Sequence, residues 1–77
     1  MSDLDPSVSV FLARFARELG TDPPTEAEID AILGLAGVAA HASARQAAPV
    51  ACWLVARAGA DVATATAIAG RLDAPPS

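Results

Sequence analysis

Residues 40–57 read A-H-A-S-A-R-Q-A-A-P-V-A-C-W-L-V-A-R. This stretch holds the only His (His41), the only Cys (Cys52), the only Trp (Trp53) and the central Pro49. Apolar residues precede it from Ala31, and Val50, Trp53, Leu54 and Arg57 recur inside it at helical spacing. It therefore reads as a corner between two helices. Pro49 suits the first position of the second of these, where an N–H would have no intrahelical partner anyway.

Working outward, Asp5-Pro6 marks a helix start, because Asp accepts from unpaired N–H groups and Pro fits the first turn. Val8, Phe11, Leu12, Phe15 and Leu19 follow as one stripe, and Gly20 stops the helix. Both Phe residues are assigned to the core on this pattern. Thr25-Glu26-Ala27-Glu28 has the form of a capping box. The helix after it carries Ile29, Ile32, Leu33, Ala36 and Ala40 on one face, while Leu35 and Val38 widen the apolar arc. Gly34 and Gly37 lower helix propensity and are expected to mark close approach of another backbone. The acidic residues Asp22, Glu26, Glu28 and Asp30 match the positive end of that helix.

On the far side of the corner, Trp53 is expected to be largely buried with its N–H directed to a partner. Gly59 ends the third helix. Asp61 caps a fourth, whose inward face is Val62, Ala65, Ile68, Ala69 and Leu72. The expectation is an all-α fold, a compact bundle of four short helices over 6–19, 26–44, 49–58 and 62–72 in a single domain. Residues 73–77, with Pro75-Pro76, form a tail that cannot continue the helix.

Composition limits what such a chain can do. Its 77 residues include twenty Ala, so the 53% apolar fraction overstates the area available for a core. A chain this short buries only roughly 60% of its unfolded surface, which makes self-association, as a homodimer, a reasonable alternative to a monomer. There is no Lys, five Arg are scattered, and the net charge is −4. A nucleic-acid backbone or an anionic membrane is a poor match for that surface. The longest apolar run, Ala31–Ala40, is far short of the roughly 20 residues of a spanning helix. The acidic start and single Cys read as those of a cytoplasmic chain.

Chemistry has few places to sit. His41 and Arg45 stand four apart and share a face if one helix carries both. With the start of the helix at Pro49, they make a candidate site for an anion or a partner. The plainer reading has His41 donating to a backbone carbonyl and Arg45 paired with a carboxylate. Cys52 and His41 are the only thiol–imidazole pair and fall on different helices without a third group, so Cys52 reads as a small buried hydrophobe. Neither a metal-ligand cluster nor a Gly-rich phosphate loop is present, so no cofactor or metal is expected and the chain does not read as an enzyme.

The central residues also follow the pattern I-x-x-I-L-x-L-A-x-x-A-A-H-x-x-x-R-x-A-A-P, from Ile29 to Pro49. This resembles a small actinobacterial domain family of unknown function, found alone or fused to molybdenum cofactor guanylyltransferases. That family also turns up near genes for molybdenum-dependent oxidoreductases such as formate dehydrogenase. The resemblance runs from about Phe11 to Leu72 and is sharpest at His41, Arg45, Ala47, Ala48 and Pro49. Gln46 departs from it, standing where the pattern expects Pro. What the resemblance implies is a non-enzymatic accessory or adaptor role in cofactor biosynthesis or molybdoenzyme maturation. The partner would be a guanylyltransferase or the oxidoreductase itself.

Overall fold

The computed structural model describes residues 4–73, which form four helices: α1 (Pro6–Leu19), α2 (Glu26–Ala42), α3 (Ala47–Ala58) and α4 (Val62–Asp73). No strand occurs among the described residues, and the fold class is all-α. The chain divides into two units, residues 1–30 and 31–77. The division falls inside α2 rather than in a linker.

Local chemistry sets most of the helix ends. Asp5 caps α1: its Oδ1 accepts from the Ser7 N–H and from the Ser7 hydroxyl, both at 2.9 Å, and Pro6 opens the helix. Those bonds, the backbone one foremost, favour the carboxylate and hold Asp5 below its ordinary value near 3.8. The expected capping box forms at α2. The Thr25 N–H donates to Glu28 Oε1 at 2.7 Å and the Glu28 N–H donates to Thr25 Oγ1 at 3.1 Å. Asp61 caps α4 by accepting from the Thr64 N–H at 3.0 Å.

Gly20 and Gly59 end α1 and α3 in the left-handed region, at φ 79° and 66°. Each end closes with a paired return. Gly20 N–H donates to Arg17 and Thr21 N–H to Ala16, while Gly59 N–H donates to Ala56 and Ala60 N–H to Val55. A residue with a Cβ would be strained at either glycine, which is why the helices stop there.

Three boundaries differ from expectation. α2 ends at Ala42 rather than 44, and α3 begins at Ala47, two residues before Pro49. Pro is tolerated at the third helical position for the same reason as at the first, since neither N–H has an intrahelical acceptor. α4 includes Asp73, which therefore belongs to the helix and not to the tail. Residues 74–77, where the rest of the tail was expected, lie outside the described residues.

The apolar faces differ more. In the first unit Ala16 is the buried residue of α1 and Leu12 is half-buried, whereas Phe11 is 61% and Phe15 51% exposed. The two Phe residues are thus not core. In the second unit Leu35 and Ala39 are buried, while Ile32 and Leu33 are exposed. α3 turns Ala48, Ala51, Cys52 and Val55 inward to half-burial and leaves Val50, Trp53 and Leu54 open. In α4, Val62, Ala65 and Ala69 are half-buried as expected, but Ile68 and Leu72 are exposed. Small side chains let helices approach closely, so the Ala-rich faces pack and the bulky ones remain outside.

Gly34 and Gly37 mark no close approach either: a Cβ added at each would meet nothing within 4 Å. Gly37→Ala should therefore stabilise the chain, by up to about 1 kcal/mol, because only helix propensity changes. A rise in the urea midpoint is the expected reading, and a fall would mean that a neighbour does press against that position.

Candidate functional site

The corner is built by the last turn of α2, the 43–46 turn and the first turn of α3. Ser43 N–H donates to Ala39 at 3.1 Å, and α2 goes no further than Ala42. Arg45 consequently stands in the turn, and it does not share a helical face with His41. The Ala47 N–H donates to Ala44 at 2.9 Å and the Ala48 N–H to Arg45 at 3.2 Å. Pro49 has no N–H to offer. The first three positions of α3 thus bring no free backbone donor to the corner, so the positive helix end that an anion would need is spent on closing the turn. Gln46 takes φ −65°, the value Pro would impose, and its side chain makes no capping bond. The turn forms with Gln46 in that conformation.

His41 finds a carboxylate rather than a backbone carbonyl. Its Nε2 lies 3.6 Å from Asp73 Oδ2, linking the last turn of α2 to the last residue of α4. The imidazole is 82% and the Asp73 side chain 37% exposed, so water screens the pair strongly and it acts as a weak brace. That carboxylate also opposes any anion at the imidazole. Among the described residues Arg45 has no ion pair, in contrast to the expected carboxylate partner, and both Arg45 and Pro49 are exposed. His41, Arg45 and Pro49 are neighbours along the chain, but no cluster of converging polar groups joins them.

Two apolar faces are open instead, one in each unit. On α1, Val8, Phe11, Phe15 and Leu19 form an exposed stripe in which the two Phe rings stack, centroids 5.6 Å apart and planes 13° from parallel. On α3, Val50, Trp53, Leu54 and Arg57 occupy i, i+3, i+4 and i+7 and so share one face. Trp53 is 58% exposed, against the expected burial, and the Arg57 guanidinium carbon lies 5.0 Å from its ring centroid. That distance is within cation–π range. Cys52 lies on the opposite side of α3, half-buried and unbridged. The described residues hold no group of three or more His, Cys, Asp or Glu placed to bind a metal. They hold no helix long and apolar enough to cross a membrane.

Residues 4–74 match the profile of a family described as Domain of unknown function (DUF6457). The chain belongs to that family. The matched segment takes in all four helices and the corner. Comparison of this DUF6457 domain with curated proteins and with solved structures gives no match.

The α3 face of the DUF6457 domain is the feature that reasoning from periodicity misplaced. The stripe itself is plain in the sequence, but a stripe says only which face is apolar, not what covers it. The usable signal lay on the other side of the same helix. Ala48, Ala51, Cys52 and Val55 form a second, smaller apolar face, and a chain with twenty Ala packs through small residues.

Proposed function

We propose that this DUF6457 domain is a non-enzymatic adaptor that docks a protein of molybdenum cofactor assembly through the open face of α3. The partner class is a molybdenum cofactor guanylyltransferase or the molybdoenzyme that receives its product, in the cytoplasm. The observation that carries docking is the exposed Trp53 stacked by Arg57 and flanked by Val50 and Leu54. Trp and Arg are the residue types that dominate interface energetics, and an apolar patch rimmed by a positioned cation suits a protein surface with a complementary carboxylate. The link to the cofactor rests on the resemblance of the Ile29–Pro49 pattern to a family fused to guanylyltransferases.

The test is affinity capture from an actinobacterial lysate on immobilised wild-type and Trp53→Ala baits, with the recovered proteins identified by mass spectrometry. A guanylyltransferase or molybdoenzyme subunit enriched on the wild-type bait alone is the expected result. Recovery of neither class on the wild-type bait would remove the assignment to cofactor assembly.

A further inference from the structure

We infer that the element docked on the α3 face is an acidic amphipathic helix of the partner protein. This rests on the adaptor reading and adds the chemistry of the docked element. At roughly 100° per residue, Val50 and Arg57 run along the middle of the open face, with Trp53 on one side and Leu54 on the other. Together they span an arc of roughly 100°. Ala48, Ala51, Cys52 and Val55, all half-buried, take the opposite side. The Arg57 side chain runs back towards the start of the helix, as helical side chains do, and sets its guanidinium carbon 5.0 Å from the Trp53 ring centroid. Whatever covers Trp53 therefore covers the cation as well.

A covered cation needs an anion, because the ring offsets only part of the hydration that the guanidinium loses. The chain brings none to this face. From Ala31 to Ala60 it has two Arg and no Asp or Glu, a charge of +2, against nine acids and three Arg, −6, in the rest. The acids that follow are engaged elsewhere: Asp61 caps α4 and Asp73 faces His41. Among the described residues Arg57 has no ion pair. The α3 helix of a second copy would offer Arg57 no carboxylate either. The anion is therefore the partner's to supply.

The form of the docked element follows from the face. Val50, Trp53, Leu54 and Arg57 cover two helical turns, roughly 10 Å along the axis, which matches the ridge of another helix. Among the described residues no strand offers an edge to an extended peptide. A single Trp does not make the aromatic groove that a Pro-rich segment needs. The occupant is thus a helix with apolar residues at i, i+3, i+4 and i+7 and Glu or Asp beside that stripe.

Two Trp-free peptides of about 18 residues, long enough to hold helix in an Ala background, test it. Both carry Leu at i, i+3, i+4 and i+7; one has Glu at every flanking position and its twin has Lys. Trp53 emission is followed at about 0.15 M salt, where exposed charges more than about 8 Å apart are largely screened. The Glu peptide should shift emission to the blue, saturate, and bind at least roughly tenfold tighter than the Lys twin. The whole chain carries −4, so non-specific attraction would favour the Lys peptide, and a Glu preference reports the face itself. Arg57→Glu, at an exposed position, should reverse the order, with circular dichroism checking that the helices persist. No saturable shift with the Glu peptide, a wild type that does not prefer it, or a preference unchanged in Arg57→Glu would each overturn the inference. The lysate capture stands apart from this result. Capture of neither protein class alongside a Glu preference would remove the cofactor link and keep the acidic helix. Capture of either class without a Glu preference would do the reverse.

Discussion

Leu35→Ala is expected to lower the stability of this chain by roughly 3 kcal/mol. Leu35 is 2% exposed and, among the described residues, is the largest fully buried side chain; the other buried residues there, Ala16 and Ala39, contribute little area each. Truncation removes the transfer free energy of the buried atoms and leaves a cavity. An Ala-rich helical environment collapses poorly into such a space, because Ala side chains have no rotamers with which to fill it. Against the total of roughly 4–12 kcal/mol expected for a chain of this length, the loss is a large fraction. With a urea dependence of about 1 kcal/mol per molar, the midpoint should fall by about 3 M, or the variant should fail to fold.

Leu33→Ala is the internal control. It makes the same chemical change two residues away at a side chain 53% exposed, and should cost less than about 1 kcal/mol. Equal losses at the two positions would mean that α2 does not present Leu35 to the interior. Leu35→Met, which nearly conserves volume, should stay within about 1.5 kcal/mol of wild type.

The contrast between Leu33 and Leu35 also shows how much of the fold was legible. Helix starts at Asp5-Pro6, Thr25 and Asp61, and stops at Gly20 and Gly59, follow from short-range hydrogen bonding and backbone sterics. Those forces act within four residues, so the sequence states them directly. The inward faces are set by partners distant in sequence. The period of Val8, Phe11, Phe15 and Leu19 predicted an apolar stripe correctly and its burial wrongly, because helix packing here rewards small residues at the contact. The corner was half legible for a related reason. Pro49 marks the first turn of α3 without saying which of its positions it occupies, and two residues of uncertainty removed the shared face of His41 and Arg45. The candidate site at His41, Arg45 and Pro49 rested on a continuous helix and on free donors at the start of α3, and neither is present. The α3 face could be inferred from sequence only by weighing both of its apolar sides.

If α3 docks a partner as proposed, Trp53→Ala should cost at least about 2 kcal/mol of partner affinity, roughly thirtyfold, while changing the stability of the free chain by less than about 1 kcal/mol. The asymmetry follows from exposure. In the free chain the indole is 58% open, so truncation removes few contacts, chiefly the stacking with Arg57, which is worth about 0.5–1 kcal/mol at an exposed site. In a complex the same ring would become fully desolvated and carry its whole area. Arg57→Lys separates two contributions, since Lys keeps the charge but loses the planar guanidinium that stacks on the ring. It should weaken binding less than Trp53→Ala, and in the double variant the two effects should not add, because the residues share one contact. Trp53 is the only Trp, so its fluorescence reports directly on the face. Titration with a purified guanylyltransferase or apo-oxidoreductase should shift emission to the blue as water leaves the indole, and the shift should saturate with binding. Two outcomes count against α3 as the docking face. One is a partner that binds wild type and Trp53→Ala equally with no spectral change. The other is a Trp53→Ala variant that loses several kcal/mol of stability in the free chain, which would make the ring part of the interior after all.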